Sequence, residues 1–176
     1  MTSPTLSLGL NGWCLRAWRE SDAPSLAQHA DDVAVWRNMS DHFPHPYTLE
    51  VAQHWITQGQ IDFGGEHWAI ALDDVAVGGC GLHPGSGRFA CEVEVGYWLG
   101  KAYWGRGVAT EIVRVLTERA FAMPGVVRVF AGVHADNPAS MRVLERNGFA
   151  REGLLRKNTP NAGRAIDSVI YAKIAA

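Results

Sequence analysis

Hydrophobic side chains recur every three to four residues along several segments, the spacing of a helix that buries one face. The clearest segment is 108–121, where Ile112, Val113, Leu116 and Ala120 share one face. The same pattern, together with residues that favour helix ends, predicts helices over 21–30, 31–38, 48–59 and 138–147.

Elsewhere apolar and polar residues alternate, which is typical of strands that bury one face. Alternation is longest over 90–99, with Val93, Val95, Tyr97 and Leu99 on one face and Glu92, Glu94, Gly96 and Trp98 on the other. Further strands are predicted over 12–18, 67–72, 75–83, 126–134, 149–155 and 167–174, with a polar loop over 157–164. The strand–helix–strand order over 90–134 predicts a right-handed crossover between parallel strands.

Composition indicates one globular domain over residues 1–176, since 47% of the residues are hydrophobic and 19% charged. A net charge of −2 gives no reason to expect nucleic acid or an anionic membrane as partner. We see no export signal in Met1–Leu10 and no apolar run long enough to span a bilayer. The scattered cysteines Cys14, Cys80 and Cys91 favour a reducing compartment, so we expect a cytoplasmic protein.

Residues 97–110, Tyr-Trp-Leu-Gly-Lys-Ala-Tyr-Trp-Gly-Arg-Gly-Val-Ala-Thr, join the long strand to the clearest helix. Gly105 and Gly107 flank Arg106, and glycines let a backbone turn so that successive N–H groups face one point. The helix that follows adds the positive end of its dipole. This combination predicts a phosphate site, although an ordinary strand-to-helix loop has the same appearance.

Two motifs resemble one enzyme family. Residues 104–111, Trp-Gly-Arg-Gly-Val-Ala-Thr-Glu, and residues 136–149, Asp-Asn-Pro-Ala-Ser-Met-Arg-Val-Leu-Glu-Arg-Asn-Gly-Phe, are similar to the general N-acetyltransferase (GNAT) superfamily, in particular to its RimJ/RimL-type ribosomal-protein N-terminal acetyltransferases. The resemblance implies an α/β fold whose mixed, mostly antiparallel sheet is splayed between two central strands, with helices on both faces. It also implies acetyl-coenzyme A as co-substrate.

By this resemblance the coenzyme lies against the glycine loop and the end of the long strand. Its diphosphate would bind the backbone of residues 106–110, and its pantetheine arm would lie along the strand end. The implied coenzyme-binding residues are Tyr97, Trp98, Leu99, Trp104, Gly105, Arg106, Gly107, Val108, Ala109, Thr110, Asn137 and Ser140. Trp104 occupies a position where the wider superfamily has Gln or Arg, so we expect affinity to rest on backbone amides.

Acetyl transfer to an amine needs a proton acceptor. Glu94 matches a position that the family commonly fills with Glu, and we expect it to be the base or to orient a water. Glu92, on the same face, is a candidate for binding a cationic substrate; both could instead be solvated strand carboxylates. The leaving thiolate also gains from a proton donor. Leu144 replaces the tyrosine that many superfamily members have, and Ser140 matches the serine that the RimJ/RimL branch places at the sulfur.

The loop before residue 48 carries His42, His45 and Tyr47, and in the family this loop lies near the acceptor. These side chains are therefore candidates for substrate contact, with ordinary surface polarity as the alternative. The histidines lack a completing set of ligands, so no metal is predicted.

The sequence favours transfer of an acetyl group from acetyl-coenzyme A to a primary amine by direct attack in a ternary complex, with a protein N-terminal α-amine as acceptor. A small amine is the close alternative. Two other readings are a non-catalytic acyl-coenzyme A sensor and a nucleotide-phosphate binder, although the latter lacks the P-loop lysine. A homodimer is possible by family resemblance.

Overall fold

The computed structural model describes residues 4–176, so Met1–Ser3, part of the segment expected to lack an export signal, lie outside the described residues. The strands are β1 (Leu6–Ser7), β2 (Trp13–Arg16), β3 (Glu66–Leu72), β4 (Val75–Pro84), β5 (Glu92–Leu99), β6 (Arg128–His134), β7 (Ala150–Asn161) and β8 (Arg164–Ile174). The helices are α1 (Ala23–Ala30), α2 (Val33–Trp36), α3 (Leu49–His54), α4 (Gln60–Phe63), α5 (Val108–Phe121) and α6 (Pro138–Arg146).

The eight strands form one sheet in the order β1-β2-β3-β4-β5-β6-β8-β7. Neighbouring strands are antiparallel except β5 and β6, which α5 connects as a parallel crossover. The mixed, mostly antiparallel sheet expected from the sequence is therefore confirmed.

Helices cover both faces of the sheet, as expected. On one face α5 and α6 bury the apolar stripe that includes Ile112, Leu116 and Leu144, all fully buried. On the other face α1 and α3 contribute a smaller cluster around Leu26 and Ala52, against which Trp98 of β5 packs. The alternation of β5 thus directs its odd-numbered residues to α5 and α6 and its even-numbered residues to α1 and α3.

The helix predicted over 31–38 is shorter in the structure, where α2 covers only Val33–Trp36, and two further predicted segments differ from the structure. The helix expected to end at residue 59 continues through a π-helical turn, Trp55–Gly59, and ends at Phe63. The polar loop expected over 157–164 is mostly strand, because β7 and β8 pair as far as Asn161 and Arg164. Side chains of β7 are largely exposed, so its strand state comes from backbone pairing with β8 and leaves no alternation in the sequence.

Candidate active site

β5 and β6 pair over only part of their length, which creates an opening in the middle of the sheet. The register joins Glu92 to Arg128, Val93 to Val129 and Glu94 to Phe130, and ends there. On its other edge β5 stays paired with β4 as far as Leu99. Backbone groups of residues 95–99 on the β6 side therefore have no strand partner. Apart from the Leu99 carbonyl, which accepts from Trp104, they are open to pairing with an extended polar chain in the opening.

The glycine loop ends beside this opening and begins α5. Gly105 and Gly107 have φ values of 75° and 79°, the left-handed region that favours glycine. A Cβ at either position would meet no atom within 4 Å, so neighbouring protein atoms do not explain why glycine is needed. Val108 and Ala109 lie in the first turn of α5, where N–H groups lack acceptors within the helix. The loop therefore combines a sharp backbone turn, N–H groups without acceptors in the helix, and open space beside the glycines. A diphosphate requires these three features.

Two residues of the expected diphosphate set already have hydrogen-bond partners within the protein. The backbone N–H of Thr110 donates to the carbonyl of Gly107 at 3.0 Å, so it is used inside the helix. The guanidinium of Arg106 donates to the carbonyl of Ala102 and lies over the ring of Tyr103, which makes it a surface side chain. The Thr110 N–H and the Arg106 guanidinium are thus occupied, and the expectation that the backbone of 106–110 binds a diphosphate stays a prediction.

Trp104 fastens the loop to the strand. Its indole Nε1 donates to the carbonyl of Leu99 at 2.6 Å, while the residue remains 44% exposed. A tryptophan where the wider superfamily has Gln or Arg thus fixes the loop position and supplies no charge to the site.

Tyr97 and Ser140 meet on the face of the sheet that carries α6. The phenol oxygen of Tyr97 lies 2.7 Å from Oγ of Ser140. Ser140 is held in the first turn of α6, where its backbone N–H donates to Oδ1 of Asn137 at 3.1 Å, so Asn137 caps this helix. Burial raises the pKa of Tyr97 to about 12, so the phenol is neutral and keeps its proton at physiological pH. From the sequence only the backbone of Tyr97 is expected to take part, because nothing in the sequence indicates that its side chain contacts Ser140.

Glu94 lies on the opposite face, which carries α1 and α3. Its side chain reaches solvent, yet the surrounding protein atoms and then the charge of Glu92 raise its pKa above the usual value for a glutamate. His83 of β4 is directly opposite Glu94 in the register. Burial, with the neighbouring His67, lowers the pKa of His83 to about 4, so this ring is neutral at physiological pH. Sequence reasoning missed His83, although the pairing of the two predicted strands could have indicated it.

Glu92 is already paired with a cation. Its carboxylate accepts from the guanidinium of Arg128 at 3.0 Å, and Arg128 also makes a second ion pair, with Glu152, at 2.7 Å. A cationic substrate would have to compete with Arg128 for Glu92, so substrate binding by Glu92 stays a prediction. The charge of Glu92 also helps to raise the pKa of Glu94.

The loop expected to touch the acceptor presents two of its three candidates to solvent. His42 and His45 are exposed; His45 stacks on Trp36 and lies 3.3 Å from the carboxylate of Asp31. Tyr47 is only 5% exposed and packs against Phe43 in the smaller core cluster. The expectation that Tyr47 contacts substrate is therefore corrected: its side chain fills the core beneath the loop.

Within residues 4–176, His, Cys, Asp and Glu side chains form no group of three or more that could hold a metal ion. None of the helices in the described part of the chain is long and apolar enough to cross a membrane.

Known proteins resemble this chain in sequence and in structure. The family described as "Acetyltransferase (GNAT) domain" matches residues 13–150. The probable N-acetyltransferase YjcK of Bacillus subtilis is 38% identical over 131 residues, 72% of each chain. The ribosomal-protein-serine acetyltransferase of Escherichia coli is 37% identical over 83 residues, 46% of this chain and 45% of that protein.

Among solved structures, that of RimL, a ribosomal L7/L12 alpha-N-protein acetyltransferase in complex with coenzyme A, superimposes with a TM-score of 0.84. The superposition covers 98% of both chains at 22% identity and therefore reports on a shared fold.

Proposed function

Because the chain belongs to the acetyltransferase (GNAT) family, we propose that it transfers the acetyl group of acetyl-coenzyme A to a primary amine, with a protein N-terminal α-amine as the preferred acceptor. The observation that carries this proposal is the opening between β5 and β6, with a glycine-bounded helix start at one side and Glu94 at the other. A donor molecule and an amine can meet there from opposite faces of the sheet.

The coenzyme is assigned to the face that carries α5 and α6. Its diphosphate binds the amides at the start of α5, in particular those of Gly107, Val108 and Ala109, and is attracted by the positive end of the helix dipole. Its pantetheine arm lies along the unpaired edge of β5 near Tyr97 and Leu99. The structure of RimL, whose fold this chain shares, contains coenzyme A, which supports coenzyme A as the ligand.

The amine arrives from the face that carries α1 and α3. Its nitrogen forms a bond to the thioester carbonyl carbon, the C–S bond breaks, and the sulfur leaves with the bonding electron pair. Glu94, directly or through a water, takes the proton that the nitrogen loses. The raised pKa of Glu94 brings its basicity closer to what this step requires at neutral pH. A backbone N–H of β5 can polarise the carbonyl oxygen as negative charge develops on it.

Similarity to the ribosomal-protein-serine acetyltransferase supports a protein as acceptor, and a small amine remains the alternative. The exposed histidines His42 and His45 stay candidates for acceptor contact. A cytoplasmic location and a homodimer also remain predictions.

The test is acetyl transfer to a panel of peptides and small amines with acetyl-coenzyme A, followed by mass spectrometry. Peptides with a free α-amine should gain an acetyl group at that amine, and matched peptides with a blocked N-terminus but a free lysine should not. Modification of small amines alone would overturn the acceptor assignment. Tight coenzyme binding without transfer to any amine in a single turnover would instead favour the sensor.

A further inference from the structure

The hydroxyl groups of Tyr97 and Ser140 lie within hydrogen-bond distance of each other, so together they can present a hydrogen-bond donor to a leaving sulfur. Ser140 has one proton to donate and can accept two hydrogen bonds, and Tyr97 lies at hydrogen-bond distance with a proton of its own. When Tyr97 donates to Oγ of Ser140, the single proton of Ser140 is free for another acceptor. Tyr97 then donates to Ser140, and Ser140 donates to a group in the opening.

The surroundings fix this pair in place. The backbone N–H of Ser140 is held by Asn137 at the start of α6, and Tyr97 is anchored on β5 at the edge of the opening. Leu144, which by the family resemblance replaces a tyrosine of many superfamily members, is fully buried in the core and offers no proton. The only phenol that bonds to Ser140 in residues 4–176 is that of Tyr97.

We propose that Tyr97 is a positioning residue that donates a hydrogen bond to Ser140 and thereby orients the Ser140 hydroxyl toward the departing thiolate of the coenzyme. This inference rests on the proposed acetyl transfer. No net proton leaves the pair: the thiolate departs with the electron pair of the C–S bond, Ser140 stabilises it with a hydrogen bond, and the amine proton goes to Glu94. Because the phenol donates to an oxygen whose proton is shared with an anion, the two hydrogen bonds strengthen each other.

The experiment compares Tyr97→Phe, Ser140→Ala and the double variant by single-turnover rates with acetyl-coenzyme A and by coenzyme affinity in calorimetry. Tyr97→Phe removes only the hydroxyl, and we expect the transfer rate to fall by about three- to tenfold, the effect of one hydrogen bond. Coenzyme affinity should change by less than about twofold. The double variant should be no slower than Ser140→Ala, because Tyr97 acts through Ser140.

Acetyl-seleno-coenzyme A distinguishes an effect on the leaving group from a structural one. Selenolate is a weaker base than thiolate and needs less stabilisation, so the loss caused by Tyr97→Phe should shrink with this donor. Tyr171→Phe is the matched control: its phenol donates to Glu145 of the same helix at 2.8 Å, is buried, and lies outside the site. Its loss, if any, should be equal with both donors.

Equal losses from Tyr97→Phe with the two donors, or rate losses that multiply in the double variant, would overturn the role of Tyr97. Absence of transfer by the unmodified protein would instead contradict the proposed function, so the two failures are distinguishable.

Discussion

Glu94 and Tyr97 lie three residues apart on β5 and therefore project to opposite faces of the sheet. Tyr97 reaches α6 and its serine, whereas Glu94 lies opposite His83 on the face that carries α1 and α3. Acetyl transfer needs a base near the amine and a hydrogen-bond donor near the leaving sulfur, and these two atoms lie on opposite sides of the carbonyl carbon. Strand alternation places Glu94 and Tyr97 on opposite faces of the sheet, as this reaction requires.

We predict that Glu94→Gln removes one limb of the pH–rate profile. The pKa of Glu94 is raised, so the base is lost to protonation as the pH falls through a value above that of an ordinary glutamate. In the unmodified protein kcat/KM should therefore fall at low pH with this pKa as well as with that of the amine. Glu94→Gln should lower the plateau by about 100-fold and retain only the limb of the amine. An unchanged profile would exclude Glu94 as the base.

Glu92→Gln is the control at the same strand face. Removing its charge takes away the like-charge contribution to the pKa of Glu94, so the acidic limb should move to lower pH while the plateau stays close to normal. A large rise in KM for the acceptor would show instead that Glu92 binds the substrate despite its ion pair with Arg128.

The loop before α5 needs glycine because its backbone adopts left-handed φ values. We predict that Gly107→Ala weakens acetyl-coenzyme A binding by about tenfold or more, because the new methyl group enters space that the diphosphate uses. The left-handed φ of 79° also makes alanine cost about 1–2 kcal/mol of stability. Calorimetric titration measures the first effect and denaturant unfolding the second.

Gly125→Ala separates the two effects. Gly125 follows the other end of α5, has a φ of 78° and equally open surroundings, so it should lose similar stability. Its coenzyme affinity should stay normal. Equal affinities for the two variants would mean that the loop holds no diphosphate.

The tip of the β7–β8 hairpin is hydrogen-bonded to the segment that follows α2. The side chain of Asn161 is 7% exposed and donates to the carbonyls of Trp36 and Met39, while the carboxylate of Asp41 accepts from the N–H of Ala162. The hairpin therefore holds the loop that carries His42 and His45.

We predict that Asn161→Ala raises KM for the acceptor by about three- to tenfold, the loss expected when buried hydrogen bonds release this loop. Affinity for acetyl-coenzyme A, which we propose to bind on the other face, should not change. Steady-state kinetics with the acceptor varied provide the measurement, and Asn158→Ala, an exposed asparagine of the same strand, is the control. A weaker coenzyme affinity would show that the substitution destabilises the whole protein and does not act on the loop alone.

The elements that sequence reasoning found are those with strong local signals. The stripe of Ile112 and Leu116 and the glycine before it located α5 at its observed bounds, and Asn137 with Pro138 located the start of α6. The outer half of β7 has no such signal, since only pairing with β8 makes it a strand. The contact of Tyr97 with Ser140 and the burial of Tyr47 likewise depend on tertiary packing.

For the whole molecule, the incomplete pairing of β5 and β6 is the feature on which the account depends. A sheet that ran on as a continuous ladder would satisfy these backbone groups internally and separate the two helical layers completely. Here the strands diverge after Glu94 and Phe130, and the helix that connects them begins at the glycine loop. Donor and acceptor can therefore meet inside a single domain.

A crystal structure of the protein with coenzyme A tests this account most directly. We predict that diphosphate oxygens lie about 3 Å from the backbone nitrogens of Gly107, Val108 and Ala109, with the pantetheine arm along residues 97–99 and the sulfur beside the Ser140 hydroxyl. A coenzyme bound elsewhere, with the start of α5 contacting only solvent, would contradict it.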